Sequence, residues 1–429
     1  MARRAWRRRA ASAAVAGALA AVAACASGPS AVPEGVPRPA SFDAPRVAQG
    51  ARLASLGNCA SCHTAPAGRT YAGGRALQTP FGTIYGTNIT PDRETGIGQW
   101  SQADFARAMR EGVDRDGRNL YPVFPYDHFT ILTDADIGAL YAYLMTREPV
   151  RAATPPNALR FPYNLRPLIG VWKSRYLRTG PFRADPSQSA QWNRGAYLVR
   201  GLAHCGACHT PRNGLGAEQK DHDFAGGEAE GWHAPALNAE SPSPVPWTAD
   251  ALATYLREGL AESHAMTAGP MTDVVHNLAG APAEDVRAIA TYVASLDTRP
   301  RAERERAQAS ALAAAGRAKA PDAAGDAGHA VYAGACAECH DLGRGVDGGA
   351  LPLEFATGLT IPTPGNLIRI IRGGIVPGEG ERGRWMPAYA GALSDAQLAD
   401  LVAYLRSLTD RPAWSDVRAA VREVAKGGE

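Results

Sequence analysis

The chain has 429 residues, enough for about three domains of ordinary size, and its 45 lysines and arginines against 42 aspartates and glutamates give a formal charge of +3. Five of those arginines (Arg3, Arg4, Arg7, Arg8, Arg9) precede an apolar, alanine-rich run from Ala10 to Ala24, the layout of an export signal, and its removal leaves 40 basic against 42 acidic residues. A mature chain with that slight acidic excess offers nothing to attract nucleic acid, and no segment reaches the roughly eighteen uncharged apolar residues of a bilayer span.

The first expected element is the signal itself, residues 1–24. "VAAC" at Val22 to Cys25 resembles a bacterial lipoprotein box with Cys25 as the lipidated first residue; ordinary cleavage after Ala24 or Ala26 is the alternative. Cys25 is one of seven cysteines. The other six form three copies of one pattern: Cys59-Ala60-Ser61-Cys62-His63, Cys205-Gly206-Ala207-Cys208-His209 and Cys336-Ala337-Glu338-Cys339-His340.

C-x-x-C-H is the pattern of covalent c-type haem attachment, in which two thiols become thioethers and the adjacent histidine becomes an iron ligand. A single copy also suits a redox dithiol or half a zinc site. Three copies behind an export signal favour three covalently bound haem c groups, because that attachment occurs outside the cytoplasm.

Each copy follows a stretch of small and apolar residues at near-helical spacing, starting at Gly50, Gly195 and Gly328. Downstream, "SQADFARAMREGV", "TADALATYLREGL" and "TPGNLIRIIRGGI" each begin with a helix N-cap residue and end near a glycine suited to stopping the helix. "LTDADIGALYAYL", "APAEDVRAIATYV" and "LSDAQLADLVAYL" then supply a closing helix with acidic residues in its first turn. The fold class expected from this threefold repeat is all-α, with three tandem class I cytochrome c-like domains each wrapped around one haem. They are expected at 42–150, 186–298 and 329–410, with a proline-rich connector at 151–185, an alanine-rich linker at 299–328 and a tail at 411–429.

Between the second and third pieces lies the loop where a sixth iron ligand is expected. The twelfth residue after the helix-ending glycines Gly112, Gly259 and Gly374 is Phe124, Met271 and Met386. Met271 and Met386 stand beside prolines that stiffen the loop and are the expected ligands of the second and third haems; Met266 is the nearest rival to Met271. Phenylalanine cannot bind iron. His128, four residues on, is the expected substitute at the first haem, with Met109 as competitor and a five-coordinate iron as the third alternative. Met109 and Met145 lie in helices and read as core. If His128 binds, the first haem is the low-potential member, since methionine opposite histidine raises the potential.

His204, His222, His233, His264, His276 and His329 read as surface or loop residues. The tail places Trp414, Val417, Val421 and Val424 on one helical face, to dock on a partner, on a membrane or on its own domain. No dinucleotide fingerprint, Walker loop, H-E-x-x-H or G-x-S-x-G appears.

"FGTIYGTNITPDRETGIGQWSQADFARAMREGV", "LYPVFPYDHFT", "WNRGAYLVRGLAHCGACHTPRN" and "AGPMTDVV" resemble the three-haem cytochrome c subunits of membrane-bound periplasmic dehydrogenases, over about Val47 to Leu408. The resemblance implies an electron-transfer subunit at the periplasmic face of the cell membrane, carrying electrons from a flavin-, pyrroloquinoline quinone- or molybdopterin-dependent dehydrogenase to quinone or another respiratory acceptor. The "YPVFPYDH" form is similar to subunits that accompany molybdopterin-type dehydrogenases of aldehydes or N-heterocycles, with a small iron-sulfur subunit. Two other readings stay open: a haem enzyme with a peroxidase-like first site, and a stand-alone shuttle to an oxidase.

Overall fold

The computed structural model describes residues 42–315, 326–343, 350–377 and 384–426; the leader 1–24 and Cys25 lie outside the described residues. In the first unit, α1 (Ala44–Leu56) starts where the Asp43 carboxylate accepts from the Arg46 amide, with Pro45 in the first turn. The short α2 (Cys59–His63) carries the first C-x-x-C-H motif. A hairpin of β1 (Ala76–Thr79) and β2 (Gly82–Tyr85) follows. Helix α3 (Gln102–Glu111) opens with a capping box between Ser101 and Asp104 and stops at Gly112, whose φ is +60°. The short α4 (Tyr126–Phe129) and the closing α5 (Asp134–Met145) complete the unit.

The connector is ordered and leans on the first unit: β3 (Ala158–Leu159) pairs with β2, and α6 (Pro167–Tyr176) lays Trp172 edge-on against Tyr126. It also reaches the second unit, where the Trp172 indole donates to the Leu215 carbonyl at 3.0 Å.

The second unit repeats the order. Helix α7 (Ala190–Tyr197) runs into a π-helical turn at Leu198–Leu202, then α8 (Gly206–His209) carries the second motif. The hairpin of β4 (Gly227–Ala229) and β5 (Trp232–Ala234) precedes α9 (Ala249–Glu258), which is capped by Thr248 and stopped by Gly259. A small hairpin, β6 (Leu260–Ala261) and β7 (Ala265–Met266), leads to α10 (Pro270–Ala279) and the closing α11 (Ala283–Ser295). Helix α12 (Arg301–Ala315) occupies part of the expected linker. The third unit comprises α13 (Ala327–Ala335), α14 (Ala337–His340) with the third motif, α15 (Gly365–Gly373), the closing α16 (Asp395–Ser407) and α17 (Val417–Lys426).

One packing device recurs in all three units. The lead-in helix crosses the closing helix at a glycine: a Cβ on Gly50 would sit 2.0 Å from the Ala139 carbonyl oxygen, one on Gly195 2.0 Å from that of Ala288, and one on Gly328 2.2 Å from that of Asp400. A tyrosine one turn further along the closing helix (Tyr143, Tyr292, Tyr404) flanks each crossing. Only glycine permits this backbone approach.

The described chain is mostly helical, as expected, and three small antiparallel sheets are added to it. Apart from β3 in the connector, their strands lie in the loops between the motif helix and the closing helix, where short runs such as Ala76–Thr79 lack the length to offset the cost of helix nucleation.

Units one and two share a continuous apolar core running from Leu53 through Tyr141 and Leu198 to Val293. The third unit has its own, built on Ile368, Leu401 and Val402. The tail belongs to that core: Trp414 is buried, Val421 is fully buried, and the Trp414 indole donates to the Ile361 carbonyl. Its apolar face is therefore covered by its own unit.

Candidate haem-binding sites

The three motif histidines share one arrangement. His63 Nδ1 lies 2.6 Å from the Thr87 carbonyl oxygen, His209 Nδ1 2.7 Å from that of Pro235, and His340 Nδ1 3.2 Å from that of Leu351. A carbonyl can only accept, so Nδ1 carries the proton and Nε2 keeps its lone pair, the tautomer and orientation that a metal-bound histidine needs. Burial lowers the pKa of all three, which favours the neutral, ligating imidazole.

The cysteines fit the same use. Burial pushes Cys59 and Cys205 up to about 12 and Cys336 up to about 11, so these are protonated thiols rather than the low-pKa thiolates of a redox dithiol. Among the described residues, the cluster of three potential metal ligands that forms is Asp127, His128 and Glu218, and no cysteine belongs to it.

The loop residues divide. Met271 stands in the first turn of α10, partly buried against the shared core, and Met386 packs on the third core. Met386 pairs its backbone with Ile375, just after the helix-ending Gly374. In the second unit the same bridge, Leu260 to Met266, selects the rival methionine, and in the first it is Val113 to Asn119. Met266 and Asn119 each precede Met271 and Phe124 by five residues. The structure thus equates Phe124 with Met271, as the spacing does, while the third loop reaches its methionine at the bridge itself. Met109 and Met145 are core residues, 6% and 2% exposed.

His128, the expected substitute ligand, is engaged elsewhere in this structure. It is buried, with Nδ1 2.8 Å from the Arg200 carbonyl oxygen and Nε2 2.6 Å from Glu218 Oε1, both groups of the second unit. Both ring nitrogens are therefore hydrogen-bonded in this arrangement. Burial alone would lower its pKa, but the Glu218 hydrogen bond and charge outweigh burial and raise it. Burial likewise would raise Glu218, yet His128 and Lys220 hold its carboxyl far below the usual carboxylate range. The result is a buried ion pair between units, extended by Lys220 Nζ at 2.5 Å from Glu218 Oε2.

The sequence offered no signal for Glu218. The same interface holds Arg75, 3.1 Å from Glu230 and 3.4 Å from Asp273, and Asn277, which bonds Asn58. His204, next to Cys205, places its Nε2 3.4 Å from the Gly57 carbonyl oxygen, just before the first motif. The first and second motifs therefore meet at one interface, and the third unit joins through paired hydrogen bonds between Asn366 and the His233 backbone, 2.9 and 2.8 Å.

Comparison with known proteins agrees. The family described as Cytochrome c matches residues 47–148, and that described as Cytochrome C oxidase, cbb3-type, subunit III matches residues 323–405. A nicotinate dehydrogenase subunit of Pseudomonas putida is 48% identical over 390 residues, 90% of this chain but 32% of that protein. The fructose dehydrogenase cytochrome subunit of Gluconobacter japonicus is 36% identical, covering 92% of this chain and 85% of its own. The gluconate 2-dehydrogenase cytochrome c subunit of Pantoea cypripedii is 36% identical, covering 84% and 85%. With cytochrome c domains at both ends and relatives of this kind along nearly its whole length, the chain belongs to the family of dehydrogenase cytochrome c subunits.

Proposed function

We propose that the chain is a three-haem electron-transfer subunit, with haem c at Cys59/Cys62/His63, Cys205/Cys208/His209 and Cys336/Cys339/His340. The observation that carries this reading is the threefold repetition of a motif histidine whose Nδ1 is held by a backbone carbonyl. Bound there, haem c supplies a one-electron centre whose potential follows its axial ligands. The chain's own part is to fix each imidazole, to offer Met271 and Met386 as sixth ligands, and to keep water from the sites with the crossed lead-in and closing helices. The shared core of units one and two holds the first two motifs at a constant separation.

The electrons are proposed to come from a partner dehydrogenase and to pass to quinone or another respiratory acceptor, in the periplasm. A molybdopterin-type partner with a small iron-sulfur subunit is favoured. The "YPVFPYDH" form supports it, as does the 48% identity to a subunit named for nicotinate, an N-heterocycle. Purification of the native complex tests this: a large cofactor-bearing subunit should accompany the chain, and its substrate should reduce the haems. A chain that purifies alone and is reduced by no such partner would contradict it.

One observation favours a second reading for the first haem. With Phe124 at the ligand position and His128 hydrogen-bonded through both nitrogens, a haem held at the first motif would take no thioether or imidazole from that loop and would offer an open position to a small ligand.

A further inference from the structure

The described chain has ten large apolar side chains that are more than a third exposed, and six of them gather at the connector. These are Phe161 (78%), Val171 (64%), Leu215 (55%), Leu168 (46%), Leu165 (44%) and Tyr163 (41%). They form one surface. Tyr163 packs on Phe81 with ring centroids 4.5 Å apart, Phe81 lies against Gly216, and Leu215 accepts the Trp172 hydrogen bond from α6. Such a concentration on a water-soluble fold marks a contact surface.

Charge identifies what it contacts. Residues 151–185 hold seven basic side chains and one acidic, Asp185, in a mature chain that is otherwise acidic. Arg160, Arg166, Lys173, Arg175 and Arg178 take part in no ion pair among the described residues, and Arg160, Arg175 and Arg178 are exposed. Helix α6 sorts these groups by face: Ile169 is buried and Trp172 and Lys173 turn toward the first unit, whereas Leu168, Val171 and Arg175 point outward at helical spacing. Exposed aromatic and aliphatic side chains ringed by unpaired cations are the composition of a segment that lies in a lipid headgroup layer.

We infer that the connector, from Arg160 to Arg178 with Leu215 beside it, is a docking surface for an anionic phospholipid bilayer. The apolar side chains enter the headgroup boundary and the arginines meet lipid phosphates. No described helix is long and apolar enough to cross a membrane, and the tail's apolar face is already buried in its own unit, so neither competes for this role. The inference does not depend on the haem count or on the partner.

Flotation of the haem-loaded Cys25→Ala chain with vesicles tests it, that substitution removing any N-terminal lipid. The chain should float with vesicles containing about one-third phosphatidylglycerol and not with pure phosphatidylcholine, with binding weakened by salt, since headgroup attraction is screened. The double variant Phe161→Asp/Val171→Asp should bind at least about tenfold more weakly, given that two buried apolar side chains are lost, with its haem spectrum unchanged. Failure of the parent to float would overturn the inference. So would a double variant that floats normally but no longer co-purifies with its dehydrogenase, since the surface would then serve a protein.

Discussion

His128 and Phe124 stand four residues apart on one loop, and they separate what residue type announces from what position decides. The motif cysteines and histidines were readable because covalent attachment allows few other residues. The acceptors that aim the imidazoles were not, because Thr87, Pro235 and Leu351 act through backbone carbonyls that any residue carries. A histidine such as His128 near an iron site is chemically competent, and nothing in the sequence shows that Glu218, 90 residues on, lies 2.6 Å from its Nε2. Two outcomes follow at this scale. Met386→Ala and Met271→Ala should each abolish the low-spin methionine signature of a single haem and lower its potential, within the ~0.8 V that axial ligands span; redox titration followed by absorbance checks this, and loss from both haems at once would refute the pairing. Carbon monoxide added to the reduced protein should bind one haem in three and do so equally in His128→Ala, whereas a silent wild type would return a sixth ligand to the first haem.

Helices were the most legible elements. Ser101 and Thr248 cap them where the sequence places caps, whereas the third helix, expected to start at Thr363, begins at Gly365 with no side-chain cap; Gly112 and Gly259 end theirs with φ of +60° and +76°. The sheets were missed because strands of two to four residues carry no period to read. The glycines at the helix crossings looked like parts of a small-residue lead-in, and their need became visible only against the closing helix. That need is testable where the core is separate. Gly328→Ala forces a Cβ into the Asp400 carbonyl and should destabilise the third unit by about 1–3 kcal/mol or more. In thermal melts its transition should fall while that of units one and two stays put. An unchanged third transition would mean that the crossing tolerates a side chain.

At the scale of the whole molecule, the threefold repeat was plain in the sequence, whereas the pairing of two units around one core was not, since it rests on contacts between distant residues. The ion pair of His128 and Glu218 gives that pairing a pH signature, modulated by Asp127, Lys220, Arg212 and His204 around it. His128 is raised above its ordinary 6.5, so its contribution is complete below that value and is lost as pH rises through the folded pKa. Glu218 is depressed below 4.5, so its contribution is complete above that value and is lost as pH falls through the folded pKa. Units one and two should therefore be most stable between the two ordinary values. Glu218→Gln should cost about 3–5 kcal/mol in that window, as expected for one partner removed from a buried pair, and flatten the profile; chemical melts across pH check it, and an unaltered profile would deny the pair its role. The central claim, three haems bonded to one polypeptide, is tested most directly by the mass of the exported chain under denaturing conditions. The expected result is the bare mature mass plus three haems, falling to two when Cys205 and Cys208 are replaced together by alanine. A mass equal to the bare chain, or one unmoved by that replacement, would contradict the account.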